Sequence, residues 1–455
     1  MPLQVAILAA GEGKRMRSAQ PKVLHRLAGS PMLAHVLRAV RALEPRAICV
    51  VYGSGGDQVP SALPGKDLTW ARQEKLLGTG DALRCALAHL PKDGVTLALF
   101  GDVPLVRTET LTSLVAAVDS DKLAVLTATP GDPSGLGRIT RGAAGEVRAI
   151  VEEKDASPVQ RAIGEINTGV IAAHTERFAQ WLARLTNNNA QGEYYLTDVV
   201  ALAVNDGVTV VAVTTEDATE FQGVNDRVQL AAAERSLQRR AAQALLRDGV
   251  TLADPERIDV RGTLHCGKDV TIDINCIFEG TVTLGDAVSI GAQCVLRNVN
   301  VGDGSAVAPF SHIEDAEIGG RCRIGPYSRI RPATVLGNEV HIGNFVEVKA
   351  STIGARSKAN HLAYIGDASV GRDVNVGAGT ITCNYDGANK HRTVIEDDVH
   401  IGSDTQLIAP VTVRKGATIG AGATISRDVP AGELTISQKK QVVVPGWKRP
   451  RKAQS

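Results

Sequence analysis

Residues 318–342 read IGGRCRIGPYSRIRPATVLGNEVHI, and an aliphatic residue followed by glycine returns in this stretch at steps of six residues or multiples of six. With occasional slips of one residue, the same pattern recurs at Leu284, Ile290, Ile318, Ile324, Leu336, Ile342, Val370, Val376, Ile401 and Ile419. A six-residue aliphatic period is typical of a parallel β-helix, in which each short strand places one side chain in a thin, stacked interior. The sequence therefore predicts a β-helix of hexapeptide repeats over residues 250–436, followed by a basic tail over residues 437–455.

Residues 1–225 follow a different pattern. Short apolar runs such as Gln4–Ala10 and Val95–Phe100 alternate with helix-length segments such as Pro31–Leu43 and Thr79–Leu90. This alternation predicts an α/β domain with a mainly parallel, Rossmann-like sheet. Residues 226–249 predict a linker helix, with Asn225 as a candidate N-cap.

Composition limits the class of protein. A chain of 455 residues exceeds what one core usually organises, so two or more domains are expected. The formal net charge of +1 gives no reason to expect nucleic acid or a membrane surface as partner, which leaves small-molecule substrates. The seven cysteines are scattered, without the spacing of a zinc site or a disulfide framework. Because the N-terminus also lacks the pattern of a secretory signal, a cytoplasmic protein is predicted.

A glycine-rich turn marks the first candidate site. The segment LAAGEGKRM, residues 8–16, follows the first apolar run and precedes Lys22. Backbone N–H groups around Gly11 and Gly13 can converge on a triphosphate, while Arg15 and Lys22 supply positive charge. A dinucleotide-binding fingerprint is the nearest alternative, but position 16 is Met where that motif has its third glycine.

A carboxylate follows a later strand of the same predicted sheet. Asp102 ends the run LALFGDVP, at the edge where parallel sheets carry functional groups. Magnesium is held by one or two hard oxygen ligands together with substrate phosphates, so Asp102 is a candidate Mg²⁺ ligand.

Two polar segments interrupt the six-residue period, at Lys358–Tyr364 and at Cys383–Arg392. Insertions in repeat proteins collect on one face and frequently build the binding site. The first segment contains His361, whose near-neutral imidazole suits a general base. A loop that merely tolerates insertion is the alternative, and Cys383 is a secondary candidate for a nucleophile.

The motifs RPATVLG, VEVKAS, ANHLAYIGDA, NVGAG and TCNYDGANKH, together with LAAGEGKRM, resemble those of the bifunctional N-acetylglucosamine-1-phosphate uridyltransferase / glucosamine-1-phosphate acetyltransferase family over nearly the whole chain. The resemblance implies a left-handed β-helix, a homotrimer with sites between subunits, and the co-substrates acetyl-CoA and UTP with Mg²⁺. It also implies that Asn225 is the second metal ligand. In the uridyltransferase site it implies nucleotide contacts at Leu8, Ala9, Ala10 and Gly11, uracil contacts at Gln73, Gly78 and Thr79, and sugar contacts at Gly137, Glu152, Asn167 and Thr168.

For the acetyltransferase site, the resemblance makes His361 the general base and Glu347 a residue that orients it. The implied sugar-phosphate and sugar contacts are Arg331, Lys349, Tyr364, Asn375 and Asn384, and the implied acetyl-CoA contacts are Ala378, Tyr385, Ser403 and Ala421. The family has an arginine in its last coil that contacts coenzyme A, where this chain has Gln438. Lys439 or Lys440 is therefore the expected substitute.

Two other functions compete with this prediction. The first is a nucleotidyltransferase with a single activity, whose β-helix serves assembly or effector binding; the polar insertion with His361 argues against it. The second is a non-catalytic scaffold or exchange-factor subunit. Such a protein is expected to have lost Arg15, Lys22 or Asp102, and this chain keeps all three.

Overall fold

The computed structural model describes residues 1–53, 55–437, 441 and 443–449. The chain divides into two compact units, Met1–Leu237 and Gln238–Ser455. Among the helices of the described residues, none is both long and apolar enough to cross a membrane.

The first unit alternates strands and helices, as its sequence pattern predicts. Its strands are β1 (Leu3–Leu8), β2 (Arg26–Leu27), β3 (Ser30–Pro31), β4 (Ala47–Tyr52), β5 (Leu68–Arg72), β6 (Val95–Phe100), β7 (Lys122–Ala128), β8 (Arg138–Arg141), β9 (Val147–Val151), β10 (Ile166–His174) and β11 (Thr209–Thr214). Its helices are α1 (Met32–Arg41), α2 (Gln58–Ala62), α3 (Thr79–Leu87), α4 (Thr108–Ala116), α5 (Pro158–Arg161), α6 (Thr175–Ala183) and α7 (Asp198–Asn205), with 3₁₀ turns at Lys14–Met16, Lys22–Leu24 and Ala218–Phe221.

The main sheet has the order β11-β7-β10-β6-β1-β4-β5. β1 pairs in parallel with β4 and β6, whereas β10 runs antiparallel to β6 and β7. Leu8 at the end of β1 lies opposite Phe100 at the end of β6. The glycine-rich turn and Asp102 therefore leave the sheet at the same edge, as parallel strands require.

Helix α8 spans Arg227–Arg247, close to the predicted linker helix. The N-cap prediction was wrong by one residue. The side chain of Asp226, not of Asn225, accepts the Gln229 backbone N–H at 2.8 Å, and Gln229 Oε1 accepts the Asn225 backbone N–H at 2.7 Å. This capping arrangement leaves the Asn225 side chain available for another role.

The second unit consists of short parallel strands. They are β12 (Thr251–Leu252), β13 (Ile258–Cys266), β14 (Thr271–Ile272), β15 (Cys276–Leu284), β16 (Ser289–Ile290), β17 (Val295–Val301), β18 (Ala306–Val307), β19 (His312–Ile318), β20 (Arg323–Ile324), β21 (Arg329–Ile330), β22 (Thr334–Leu336), β23 (His341–Asn344), β24 (Glu347–Lys349), β25 (Thr352–Ile353), β26 (Lys358–His361), β27 (Tyr364–Gly366), β28 (Ala368–Val370), β29 (Asn375–Val376), β30 (Ile381–Cys383), β31 (Thr393–Ile395), β32 (His400–Ile401), β33 (Gln406–Ile408), β34 (Val411–Val413), β35 (Thr418–Ile419), β36 (Thr424–Ile425) and β37 (Leu434–Thr435).

These strands stack coil upon coil into an 11-stranded sheet and a 15-stranded sheet. The aliphatic residues of the six-residue period point inward and are buried, for example Ile324 at 1% and Ile342 at 0% exposure. They belong to one continuous apolar core that extends along the unit. The β-helix prediction is therefore confirmed, because the period of the sequence is the period of the stacked interior.

Candidate active sites

The glycine-rich turn after β1 presents free backbone donors. Gly13 has φ +63° and begins the 3₁₀ turn, which the buried side chain of Met16 anchors. Among the described residues, none accepts a hydrogen bond from the amide N–H groups of residues 10–15. Arg15 is exposed and forms no ion pair with a described residue. A run of unpaired N–H groups beside an unpaired cation is an anion-binding arrangement.

The two predicted metal ligands converge on one point. The Lys22 ammonium forms an ion pair with Asp102 Oδ2 and donates to Asn225 Oδ1 at 3.0 Å. The Lys22 and Asp102 side chains are only 11% and 20% exposed. The backbone bond from Val224 N to Asp102 O, 2.9 Å long, holds the two loops together. Carboxylate and amide oxygens separated by 123 residues thus surround one cation.

This pair of oxygens fits a magnesium ion that completes its shell with phosphates and water. No group of three or more His, Cys, Asp or Glu side chains within the described parts of the chain is arranged to hold a metal. Two oxygen ligands leave coordination positions free for substrate phosphates.

The predicted nucleotide contacts surround this edge of the sheet. Leu8, Ala9 and Ala10 have buried side chains, so only their backbone can face a ligand. Leu8 O already accepts from Gly101 N and Ala9 N donates to Val51 O, whereas the Ala10 N–H donates to no described residue. Gln73 lies after β5 and is 5% exposed. Gly78, at φ +110°, precedes α3.

A second group of predicted residues meets on the far side of the same sheet edge. Asn167 N donates to Gly137 O at 2.8 Å, and a Cβ added at Gly137 would lie 3.4 Å from Glu152 Oε2. Thr168 donates instead to Leu126 O inside the fold. Burial raises the pKa of the Glu152 carboxyl group, although a hydrogen bond from Thr197 opposes this effect. The structure thus brings Gly137, Glu152 and Asn167 together.

In the second unit, His361 ends β26 and is exposed rather than enclosed in the aliphatic core. The residues next to His361 on the following coils can be read from the strand pairing, in which Lys358 pairs with Asn375, Asn375 with His400, and His400 with Thr418. The equivalent position three residues after each ladder member is occupied by His361, Ala378, Ser403 and Ala421. The predicted base and three predicted acetyl-CoA contacts therefore form one column. The residues just before the last three are all glycine, and a Cβ added at Gly377, Gly402 or Gly420 would lie 2.6, 2.5 or 2.6 Å from an atom of the next coil, so glycine permits close stacking beside this column.

A group of basic side chains lies on the 15-stranded sheet. Arg331 and Lys349 occupy equivalent positions in adjacent coils, because Ile330 pairs with Val348. The close approach of the Lys390 ammonium group, together with desolvation, lowers the pKa of Lys349. Lys390 was not predicted from the sequence, where its only signal was its place in the polar insertion Cys383–Arg392. Three cations at one point, one of them depressed in pKa, indicate an anion site.

Glu347 does not contact His361. It accepts a hydrogen bond from Arg331 Nη1 at 2.6 Å and pairs in register with Tyr364, whereas the partner of His361 is Asn344. Within this chain Glu347 orients the arginine of the anion site.

The polar insertion is held in place by its own side chains. Asn384 donates to the Tyr364 hydroxyl at 3.3 Å and to Asp367 Oδ2. Further out, His391 contacts Asp386 Oδ2 at 2.6 Å. Tyr385 remains 63% exposed. Burial raises the pKa of the Cys383 thiol, which disfavours the thiolate that a nucleophile needs.

One predicted contact lies on another face, and one falls outside the described residues. Asn375 is exposed on the 11-stranded sheet, on a different face from Tyr364 and Asn384. Lys439, with Gln438 and Lys440, lies outside the described residues.

Comparisons with known proteins agree with this division. Residues 5–249 match the MobA-like NTP transferase domain, residues 260–356 the GMPPB C-terminal domain, and residues 392–427 the bacterial transferase hexapeptide with six repeats. The chain is 59% identical over 450 residues to the bifunctional protein GlmU of Azoarcus sp. (strain BH72), covering 99% of this chain and 100% of that protein. It is 60% identical over 451 residues to bifunctional protein GlmU of Nitrosospira multiformis, covering 99% and 98% of the two chains. The chain therefore belongs to the family of bifunctional GlmU proteins, enzymes that join a nucleotidyltransferase domain to a hexapeptide-repeat acetyltransferase domain.

Proposed function

We propose that this bifunctional enzyme performs its two transfers at two separate sites, one on each unit. It acetylates glucosamine 1-phosphate with acetyl-CoA, and it then transfers a uridylyl group from UTP to the resulting N-acetylglucosamine 1-phosphate, releasing pyrophosphate. The observation that carries the proposal is that the two sets of residues assemble separately, around Lys22 in the first unit and beside His361 in the second.

In the uridyltransferase site, the sugar phosphate attacks the α-phosphorus of UTP and pyrophosphate leaves. No protein nucleophile takes part, so positioning and charge stabilisation supply the catalysis. The unpaired N–H groups of residues 10–15 and the exposed Arg15 bind the triphosphate. Lys22, packed directly against Gly13, stabilises the charge that develops as the bond breaks.

Asp102 and Asn225 would hold Mg²⁺ in this site, because their oxygens already converge on one cation, the Lys22 ammonium. When bound, Mg²⁺ neutralises charge on the phosphate oxygens. Gln73, Gly78 and Thr79 contact the uracil, while Gly137, Glu152 and Asn167 face the sugar. Thr168 supports that group from inside the fold.

In the acetyltransferase site, His361 removes a proton from the ammonium group of glucosamine 1-phosphate, and the free amine attacks the thioester carbonyl. The exposed position of His361 is compatible with this role. The small side chains of Ala378, Ser403 and Ala421 leave room for the pantetheine arm of acetyl-CoA, which Tyr385 also contacts. The Ala378 N–H donates to no described residue and stabilises the oxyanion. The thiol of coenzyme A leaves.

The sugar phosphate is bound by Arg331, Lys349 and Lys390. Lys349 and Lys390 lie close enough to depress the pKa of Lys349, and a phosphate dianion between them relieves that repulsion. Tyr364 and Asn384, joined by a hydrogen bond, position the sugar. Lys439 or Lys440 contacts the coenzyme A phosphates in place of the arginine of the family.

The acetyltransferase site is completed in a homotrimer. Asn375 lies on a different face from Tyr364, so the Asn375 that serves one site comes from a second copy. An exposed aromatic ladder supports this association. The rings of Phe310 and Tyr327 stack at 4.8 Å, those of Tyr327 and Phe345 stack at 5.3 Å, and all three residues are at least 44% exposed. Contiguous exposed aromatic surface of this kind marks protein interfaces.

A cytoplasmic location is part of the same proposal. All seven cysteines are free thiols, and four of them are buried. Free thiols in these numbers fit a reducing compartment.

Single substitutions test the assignment of the two sites. Asp102→Ala is expected to abolish uridylyl transfer and to leave acetyl transfer near normal, while His361→Ala is expected to do the reverse. The first activity is followed as pyrophosphate release and the second as free thiol release from acetyl-CoA. Loss of both activities in either folded variant would overturn the assignment, and no thiol release by the unmodified enzyme would favour the alternative with a single activity.

A further inference from the structure

The orientation of the Gln73 side-chain amide is determined by its partners. Nε2 donates to Gly78 O at 3.1 Å and to Asp81 Oδ2 at 2.9 Å. Both partners are acceptors, so the amide nitrogen and not the oxygen must face them. The two N–H bonds of the amide are thereby used. Oε1 accepts no hydrogen bond from any residue that the structure describes, and it is the group that remains for a ligand.

The surroundings hold this arrangement firmly. The Gln73 backbone N–H donates to Tyr52 O at 2.8 Å. Gly78 is confined, because a Cβ there would lie 2.6 Å from Tyr194 O. Asp81 lies in the first turn of α3 and pairs with Arg84 at 3.5 Å. Arg84 is in turn anchored by Leu182 O at 2.7 Å.

We propose that Asp81 is a positioning residue that sets the base preference of the nucleotidyl site through Gln73. The proposal rests on the proposed function, in which Gln73 contacts the base. An amide fixed with its oxygen toward the base accepts a hydrogen bond from a ring N–H. Uracil carries a proton on N3, whereas cytosine presents a lone pair there, so the fixed acceptor favours UTP over CTP. Without Asp81 only Gly78 O still holds the amide nitrogen, so the rotated amide, which presents its nitrogen to the base and suits cytosine, becomes more accessible.

The test is the ratio of kcat/KM for UTP to kcat/KM for CTP, measured with N-acetylglucosamine 1-phosphate on the full-length enzyme. Asp81→Asn keeps the shape of the side chain, but its amide can donate as well as accept, so Gln73 is no longer required to present its nitrogen to residue 81. We expect this substitution to lower the UTP:CTP ratio about tenfold, the cost of one unpaired buried polar group. Asp81→Ala is expected to lower it similarly. Asp67→Asn, which removes an exposed carboxylate paired with Arg41, is the matched control and should leave the ratio unchanged.

A double-substitution cycle shows whether Asp81 acts through Gln73. Gln73→Ala alone should lower the ratio, and adding Asp81→Asn to that variant should lower it no further. The melting curve of each variant, compared with that of the unmodified enzyme, reports that the first unit is folded. A UTP:CTP ratio within twofold of the unmodified enzyme in both Asp81 variants would overturn the inference, as would additive effects in the cycle. Failure of the unmodified enzyme to use UTP would instead overturn the proposed function.

Discussion

Replacement of Gly13 by alanine tests the proposed phosphate-binding role of the glycine-rich turn without removing a charged group. Gly13 has φ +63°, a conformation that costs a residue with a Cβ about 1–2 kcal/mol. The added Cβ would also lie 2.7 Å from Cβ of Lys22, which is too short for two carbon atoms. Because Lys22 Cβ is attached directly to the backbone, the contact cannot be relieved by rotating the side chain.

The combined cost should appear in uridylyl transfer. Overpacking of this kind adds about 1–3 kcal/mol. A summed backbone and contact cost of about 3 kcal/mol in the turn should lower kcat/KM for UTP about a hundredfold, since each 1.4 kcal/mol is a factor of about ten. Acetyl transfer should be unchanged.

Gly207→Ala is the matched control. Gly207 has φ +78° and no atom within 4 Å of an added Cβ, so the substitution carries the backbone cost without the contact. It should lower the melting temperature of the first unit and leave kcat/KM for UTP within about twofold. Equal kcat/KM for the Gly13→Ala variant and the unmodified enzyme would refute the assignment of the turn, as would an equal loss in the Gly207→Ala variant.

Three further predictions concern other parts of the molecule. Burial holds the pKa of Glu152 above its ordinary value, so the carboxyl group ionises at lower pH in the unfolded state than in the folded state, and its ionisation destabilises the fold as pH rises. Glu152→Gln should therefore raise the melting temperature at pH 7.5 and have little effect below pH about 4, as measured by calorimetry. Lys390→Met should raise KM for glucosamine 1-phosphate about tenfold. Because Lys390 lowers the pKa of Lys349, the loss of substrate affinity at alkaline pH should also move to higher pH when KM is measured against pH, and an unchanged profile would contradict the anion site. Tyr327→Asp, with the exposed Val159→Asp as control, should dissociate the proposed trimer in light scattering and reduce acetyl but not uridylyl transfer. An assembly that stays intact would place the interface elsewhere.

The sequence predicted those features that depend on one short-range pattern. The six-residue period identified Ile324 and Ile342 as core residues because each coil repeats the same inward position. The position of Asp102 at the same sheet edge as the glycine-rich turn was predictable because the carboxyl end of a parallel strand is a fixed place in the sheet. By contrast, the antiparallel β10 was not predicted, since a fully buried apolar strand carries no sign of its direction.

Contacts between distant side chains were beyond the reach of sequence patterns. Lys390 is one basic residue among several in a polar insertion, and its position beside Lys349 depends on how that insertion folds back. Asp81 looks like an ordinary acidic residue in the first turn of a helix, where its charge favours the helix in any case. The N-cap assignment failed because Asn225 and Asp226 are adjacent and both suit that position, and only the bond to Gln229 distinguishes them.

The central claim is that two independent sites act in succession through a released intermediate. It is tested most directly by mixing the separately purified Asp102→Ala and His361→Ala proteins with glucosamine 1-phosphate, acetyl-CoA, UTP and Mg²⁺. Neither protein alone should form UDP-N-acetylglucosamine, and the mixture should form it after a lag while N-acetylglucosamine 1-phosphate accumulates. Product from either variant alone, or none from the mixture when each retains its own partial activity, would contradict the claim.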